Sequence, residues 1–252
     1  MTLLLVDIGN SRVKWARCEH GVLGAQRSAA HADWQAADWR AAVSEDGPVE
    51  RVLAASVAGG AGIAALDAAT RAVTGRGIER VTTVREAAGV VNGYADPDLL
   101  GVDRWLAAVG AYHRVQGACV VADIGTAATI DVVASDGRHR GGYIVPGPRL
   151  MMASLLAGTS DLASFSAISP PGAATQFADN TRDAIERGCR VALAAWVERC
   201  LRDAATLVGA APRLLLTGGA VPDILPYLAP GGEHVPDLVL RGLLEVAGTR
   251  PD

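Results

Sequence analysis

Two stretches, LLLVDIGNSRVKWARCEHG (Leu3–Gly21) and CVVADIGTAATIDVVASDG (Cys119–Gly137), align without a gap, and their reading decides the fold. Asp7, Ile8 and Gly9 fall on Asp123, Ile124 and Gly125, and Gly21 falls on Gly137. Each copy reads as an apolar strand, an Asp-Ile-Gly turn, a second strand and a glycine-ended turn. Desolvating a carboxylate costs on the order of several kcal/mol unless it is hydrogen-bonded, paired or bound to metal, so Asp7 has two readings. In one, DIGNS is a tight hairpin corner where Asp and Asn bond their own backbone. In the other, Asp7 faces a phosphate through a bound cation and the glycine lets the backbone approach. The duplication weighs against the plain corner. A turn needs no second copy, but a cleft that grips phosphates from both sides does.

Further elements follow each hairpin. RVLAASV (51–57) reads as a strand, GAGIAALDAATRAVTG (60–75) as an amphipathic helix closed by glycine, and IERVTTVR (78–85) as another short strand. A helix from about Asp103 to Val115 leads into the second copy. There, NTRDAIERGCRVALAAWVERCLRDAATLVG (180–209) is a long helix capped by Asn180 or Thr181, and PRLLLTGGAV (212–221) is a buried strand running into a glycine pair. DLVLRGLLEVAG (237–248) reads equally as a strand or a helix end. The expected architecture is two α/β domains, 1–116 and 117–252, with the paired Asp-Gly corners facing each other across a cleft.

The bulk properties narrow the function. A chain of 252 residues, 50% hydrophobic and 20% charged, has enough apolar material for a sizeable core. A net charge of -4 and a pI near 5.7 offer no broad footprint for nucleic acid. The opening MTLLLV is too short for a signal-peptide core and lacks a basic segment before it. No charge-free apolar run reaches the roughly 18 residues of a membrane span. Cys18, Cys119, Cys189 and Cys200 form no metal-ligand spacing, which fits a reduced, cytoplasmic protein. There is no G-x-x-x-x-G-K-[ST] loop and no G-x-G-x-x-G after an opening strand, which argues against a P-loop kinase and a Rossmann dehydrogenase. His20, His31, His113, His139 and His234 show no ligand spacing and read as surface or packed residues.

DIGNS and DIGTA in the two halves, with LTGGA (216–220), resemble the phosphate and adenosine motifs of the superfamily of actin, the Hsp70 ATPases and the acetate and sugar kinases. GYADPDLLGVDRWLAAVGAY (93–112), GGYIVPGPRLMMASL (141–155) and DNTRDAIERG (179–188) narrow this: they are similar to the type III pantothenate kinases, a family that includes proteins called Bvg accessory factors. The resemblance runs from Asp7 to about Leu244. It implies two duplicated actin-like (ribonuclease H-like) domains with an interdomain nucleotide cleft. The implied activity is ATP-dependent phosphorylation of pantothenate to 4'-phosphopantothenate, the first step of coenzyme A biosynthesis. It further implies Mg2+, a monovalent cation (K+ or NH4+), and a homodimer in which the second subunit contributes part of each pantothenate site.

The residue chemistry suits these roles. Phosphoryl transfer to an alcohol asks for positioning, charge neutralisation and a base for the hydroxyl proton. Asp103 is the candidate base, and equally a candidate helix N-cap. Arg104 offers a planar fork to a carboxylate, or is a surface helix residue. Gly101 and Val102 would lie against pantothenate, and Tyr94 resembles the family's aromatic residue there, although a lone Tyr in a loop also suits core packing. Asp7 beside a triphosphate would meet repulsion of about 4 kcal/mol per pair of unit charges at about 4 Å and an effective dielectric near 20. It would therefore act through Mg2+. Gly9, Asn10 and Ser11 offer donors to phosphate, and Lys14 adds positive charge. By resemblance, Asp123 binds the monovalent cation, Thr126 an ATP phosphate and Thr181 pantothenate, with helix capping as Thr181's rival role. Gly218 and Gly219 would let the nucleotide approach, while Asp131 has no assigned role beyond a structural one. A kinase or phosphatase with another acceptor, and a regulatory accessory factor with weak or no kinase activity, are the alternatives.

Overall fold

The computed structural model describes residues 2–157 and 177–248. In chain order, β1 (Thr2–Ile8), β2 (Arg12–Glu19), β3 (Val22–Leu23) and β4 (Arg27–Ala30) are followed by α1 (Ala36–Ser44), β5 (Arg51–Ser56), α2 (Gly60–Thr74) and β6 (Glu79–Arg80). A small hairpin, β7 (Glu86–Ala87) and β8 (Val90–Val91), precedes α3 (Val102–Val115). Next come β9 (Cys119–Ile124), β10 (Ala127–Val133), β11 (His139–Pro146), α4 (Pro148–Ala157) and α5 (Thr181–Val208). The chain closes with β12 (Arg213–Thr217), α6 (Val221–Ile224), β13 (Glu233–His234) and α7 (Leu238–Gly248). The described chain forms two compact units. Of the described residues, one comprises 2–116, 137–139 and 237–248, the other 117–136, 140–157 and 177–236.

Both sheets are built on one plan. In the first unit the strand order is β3-β2-β1-β5-β6, with β4 also on β2; in the second it is β11-β10-β9-β12-β13. The hairpins β1–β2 and β9–β10 are antiparallel, and β5 and β12 lie parallel to β1 and β9. Asp7 pairs in register with Ala55 and Asp123 with Thr217, so the two carboxylates hold the same place in the two sheets. The turns differ by one residue. Ile8 is opposite Val13, whereas Ile124 is opposite Ala128. Beyond the corner the gapless alignment is therefore out of step: Lys14, opposite Asp7, corresponds to Thr129, opposite Asp123, and not to Ile130. Because side chains alternate with period two, this slip decides which face a residue joins.

Alternation and glycine account for most of the elements. In the first unit Leu4, Val6, Ile8, Val13, Val52 and Ala54 form one core with Trp39, Ile63 and Leu66 of α1 and α2. In the second, Val120, Ala122, Ile124, Ile130 and Leu216 pack with Leu193 and Val197 of α5. IERVTTVR yields only the two-residue β6. DLVLRGLLEVAG is a helix, packed on α3 through Gly110 and Gly242. A Cβ at Gly110 would lie 2.8 Å from the Gly242 nitrogen, so backbone approaches backbone where the two helices meet. This contact fixes the helix whose first turn carries Asp103 and Arg104. No helix among the described residues is long and apolar enough to cross a membrane.

Candidate active site

The first unit brings five of the expected residues together. Gly101 is the N-cap of α3, and Val102, Asp103 and Arg104 form its first turn. Asp103 is thus not the cap; its Oδ1 instead accepts the Arg104 backbone N–H at 2.7 Å, satisfying a donor that the helix start leaves open. Asp103 is half-buried, within reach of a ligand. The place of Gly101 follows from that carboxylate: a Cβ there would stand 2.8 Å from Asp103 Oδ1. Arg104 is buried and not a surface helix residue. Its Nη1 donates to the Tyr94 hydroxyl at 2.9 Å, and its guanidinium lies 5.8 Å from the centre of the Tyr94 ring. The Tyr94 ring stacks on His139 with centroids 5.9 Å apart.

Two residues to which the sequence lent no role hold Tyr94 in place. Arg85 donates through Nη1 to the carbonyls of Asn92 (3.2 Å) and Tyr94 (2.7 Å), and through Nη2 to that of Ala95 (2.8 Å). Asn92, itself buried, accepts the Tyr94 N–H on its side-chain oxygen at 2.9 Å. A loop of this composition would otherwise be mobile. A lone Asn between Val91 and Gly93 gives no outward sign that it is buried, and His139 gives none that it underlies an aromatic ring.

At the first Asp-Gly corner, Asp7 is 6% exposed. The Gly9 N–H donates to the Arg12 carbonyl at 2.9 Å and closes the corner, leaving Asn10 and Ser11 exposed. Lys14, directly across from Asp7, shares its face of the sheet. The second corner closes the same way, Gly125 N–H to the Ala127 carbonyl at 2.9 Å. Asp123 is half-buried and Thr126 exposed. Gly218 lies behind Asp123 at φ +95, where a Cβ would land on Asp123 Oδ1 and the Ile124 carbonyl. Both its conformation and its room demand glycine. Gly219 is exposed at the following turn.

Thr181 stands at the exposed first position of α5. The cap is Asn180, whose side chain accepts the Asp183 N–H at 3.0 Å, so Thr181 is left out of capping. Among the described residues no three His, Cys, Asp or Glu side chains cluster as a metal cage. Single carboxylates such as Asp7 suit instead an ion that arrives with phosphates and keeps several waters, as Mg2+ does.

Comparisons with known proteins identify the family and the fold. The family model of the type III pantothenate kinase matches residues 3–203. A type III pantothenate kinase from Laribacter hongkongensis is 38% identical over 97% of this chain and 98% of its own. One from Aromatoleum aromaticum is 39% identical over 97% of each. Among solved structures, component A of the (R)-2-hydroxyglutaryl-CoA dehydratase of Acidaminococcus fermentans superposes with a TM-score of 0.58, at 14% identity and covering 98% of this chain and 96% of the other. An archaeal actin homologue gives 0.53, at 12% identity over 99% and 100%. At such identities the likeness speaks for the fold alone, that of duplicated actin-like domains. With sequence relatives of this similarity along nearly its whole length, the chain belongs to the type III pantothenate kinase family.

Proposed function

We propose the following division of labour for the ATP-dependent phosphorylation of pantothenate that this kinase carries out. The observation that carries it is the first turn of α3, where a reachable Asp103 directly precedes a buried Arg104 that is bonded to Tyr94. Arg104 and Tyr94 bind the pantothenate carboxylate, and Gly101 and Val102 lie along the substrate. The acceptor hydroxyl faces Asp103. As its oxygen bonds to the γ-phosphorus, Asp103 takes the proton, and the bond from phosphorus to the bridging oxygen breaks with its electron pair leaving on ADP. Gly9, Asn10 and Ser11 donate to the ATP phosphates, Lys14 adds charge, Thr126 donates its hydroxyl, and Gly218 and Gly219 leave room for the nucleotide. Asp7 would hold Mg2+ and Asp123 the monovalent cation, K+ or NH4+; when bound, these ions neutralise charge on the phosphates.

The working form is a cytoplasmic homodimer, with Thr181 touching pantothenate. Exposed apolar side chains on the second unit support an apolar contact between copies: Tyr143 and Ile144 on β11, and Leu150 and Leu155 on α4. Each substrate is assigned residues from both predicted domains, 1–116 and 117–252: Gly9 and Thr126 for ATP, Arg104 and Thr181 for pantothenate. The test is ADP release by purified protein with ATP and Mg2+, with and without pantothenate, in potassium or sodium. Turnover that needs both pantothenate and potassium supports the assignment. Turnover with another alcohol, or none from folded protein that binds ATP, overturns it.

A further inference from the structure

His31, which precedes α1 in the chain, reaches the first Asp-Gly corner from outside the hairpin. Its Nε2 lies 2.8 Å from the Gly9 carbonyl oxygen, and because a carbonyl oxygen only accepts, Nε2 must carry the proton. The Gly9 N–H is already given to the Arg12 carbonyl. Arg12 is tied down in turn, donating to the Ser28 hydroxyl at 2.9 Å and the Ser28 carbonyl at 3.1 Å on β4. The corner is therefore held at two points, both from the β4–α1 side.

The His31 ring is itself held. It lies 6.1 Å from the Trp39 ring, Trp39 meets Trp34 edge-on at 4.8 Å, and Trp34 meets Trp15 of β2 at 5.7 Å. Trp39 is buried in the core. In a planar trans peptide the C=O and the next N–H point in opposite directions. Fixing the Gly9 carbonyl toward His31 thus turns the Asn10 N–H the other way, on the exposed side of the corner.

We propose that His31 is a positioning residue for ATP: by holding the Gly9 carbonyl it presents the Asn10 N–H to a nucleotide phosphate before the nucleotide arrives. Preorganised donors of this kind cost no rearrangement when charge reaches them. The assignment rests on the reading of Asp7 to Ser11 as the phosphate corner.

The test compares the full chain with His31→Phe, which keeps a ring against Trp39 but loses the donor, and His31→Gln, which keeps an N–H. ATP affinity is measured by calorimetry with Mg2+, and KM for each substrate by ADP release. His31→Phe is expected to weaken ATP by roughly tenfold and to leave KM for pantothenate within about twofold, with His31→Gln recovering most of the loss. Unchanged ATP affinity in His31→Phe, equal losses in Phe and Gln, or parallel losses for both substrates would overturn the assignment. Asn10→Pro removes the N–H itself at an exposed position and keeps the question open to test should His31→Phe fail to fold; native ATP affinity in that variant also overturns it. Asp7→Asn separates the two readings. If it leaves ATP binding and turnover intact, the phosphate corner is wrong and His31 falls with it. If it abolishes turnover while His31→Phe binds ATP normally, only the role of His31 is lost.

Discussion

The Arg104 guanidinium is bonded to the Tyr94 hydroxyl at 2.9 Å while lying 5.8 Å from the centre of the same ring, so one side chain sets the place of the other. A buried, oriented fork binds a planar carboxylate without first losing side-chain freedom. Arg104→Gln removes the charge and is expected to raise KM for pantothenate by roughly ten- to a hundredfold, as for loss of a charge-assisted hydrogen bond. Tyr94→Phe removes only the hydroxyl and should raise it by a few-fold. ATP affinity should stay unchanged in both. Initial rates with each substrate varied in turn check this, and equal effects on the two substrates would count against the carboxylate clamp.

Asp103 makes a sharper prediction because its carboxylate and the helix start are coupled. Asp103→Asn should lower kcat by about a hundred- to ten-thousandfold while the protein stays folded by circular dichroism. Gly101→Ala tests the geometry rather than the charge. The new Cβ would meet Asp103 Oδ1 at 2.8 Å, so the carboxylate must move, and kcat should fall with ATP binding retained. A normal kcat in both variants would remove Asp103 as the base.

The duplicated hairpins were legible because a buried strand, an acid and a glycine corner each leave a local signature, and two copies at a fixed offset exclude chance. What was not legible is what depends on contacts distant in sequence. Arg85 and Asn92 look like ordinary polar loop residues until the chain folds the Tyr94 loop around them. His31 is an isolated histidine between Ala30 and Ala32, and only the turn from β4 toward α1 carries it to the Gly9 carbonyl. The one-residue difference between the two corners was hidden for another reason: the gapless match is correct up to the glycine, and only the strand pairing reveals where the shorter loop shifts the register. The closing segment was ambiguous since its apolar residues satisfy both periods until Gly242 is seen packing against α3.

The four cysteines are all free and buried. Burial pushes the Cys119 thiol up to about 12 and raises those of Cys189, Cys200 and Cys18 as well. Thiolate, not thiol, reacts with alkylating agents. Native protein at pH 8 should therefore take up almost no iodoacetamide, against four equivalents in denaturant, as read by mass spectrometry. Rapid native labelling at Cys119 would mean that the second sheet opens readily at β9, its central strand.

His234 on β13 keeps an exposed face, and the part of its ring that is desolvated lowers its pKa below the ordinary value. The unfolded chain then binds the proton more tightly than the folded one, so the contribution of this residue to stability is present above the unfolded pKa of about 6.5. It is lost as the pH falls through the folded value. The urea midpoint of the native protein should thus drop between pH 7.5 and pH 5 by more than that of His234→Gln. Equal drops would show that His234 is solvated in the folded state.

The apolar side chains exposed on β11 and α4 allow the proposed homodimer to be tested apart from catalysis. Ile144 is 61% exposed and Tyr143 60%, on a strand that forms one edge of its sheet. An edge strand carrying bare apolar side chains is a liability unless a partner covers it. Ile144→Asp puts a charge into such a contact and would have to desolvate it, whereas on an open surface the change is nearly neutral. Sedimentation velocity of the native protein should give a dimer and Ile144→Asp a monomer of unchanged secondary structure. If Thr181 acts on pantothenate across the dimer, the monomer should lose pantothenate turnover while still binding ATP. A native protein that sediments as a monomer and turns over at full rate would refute the shared site, and would leave Thr181 to act, if at all, within its own chain.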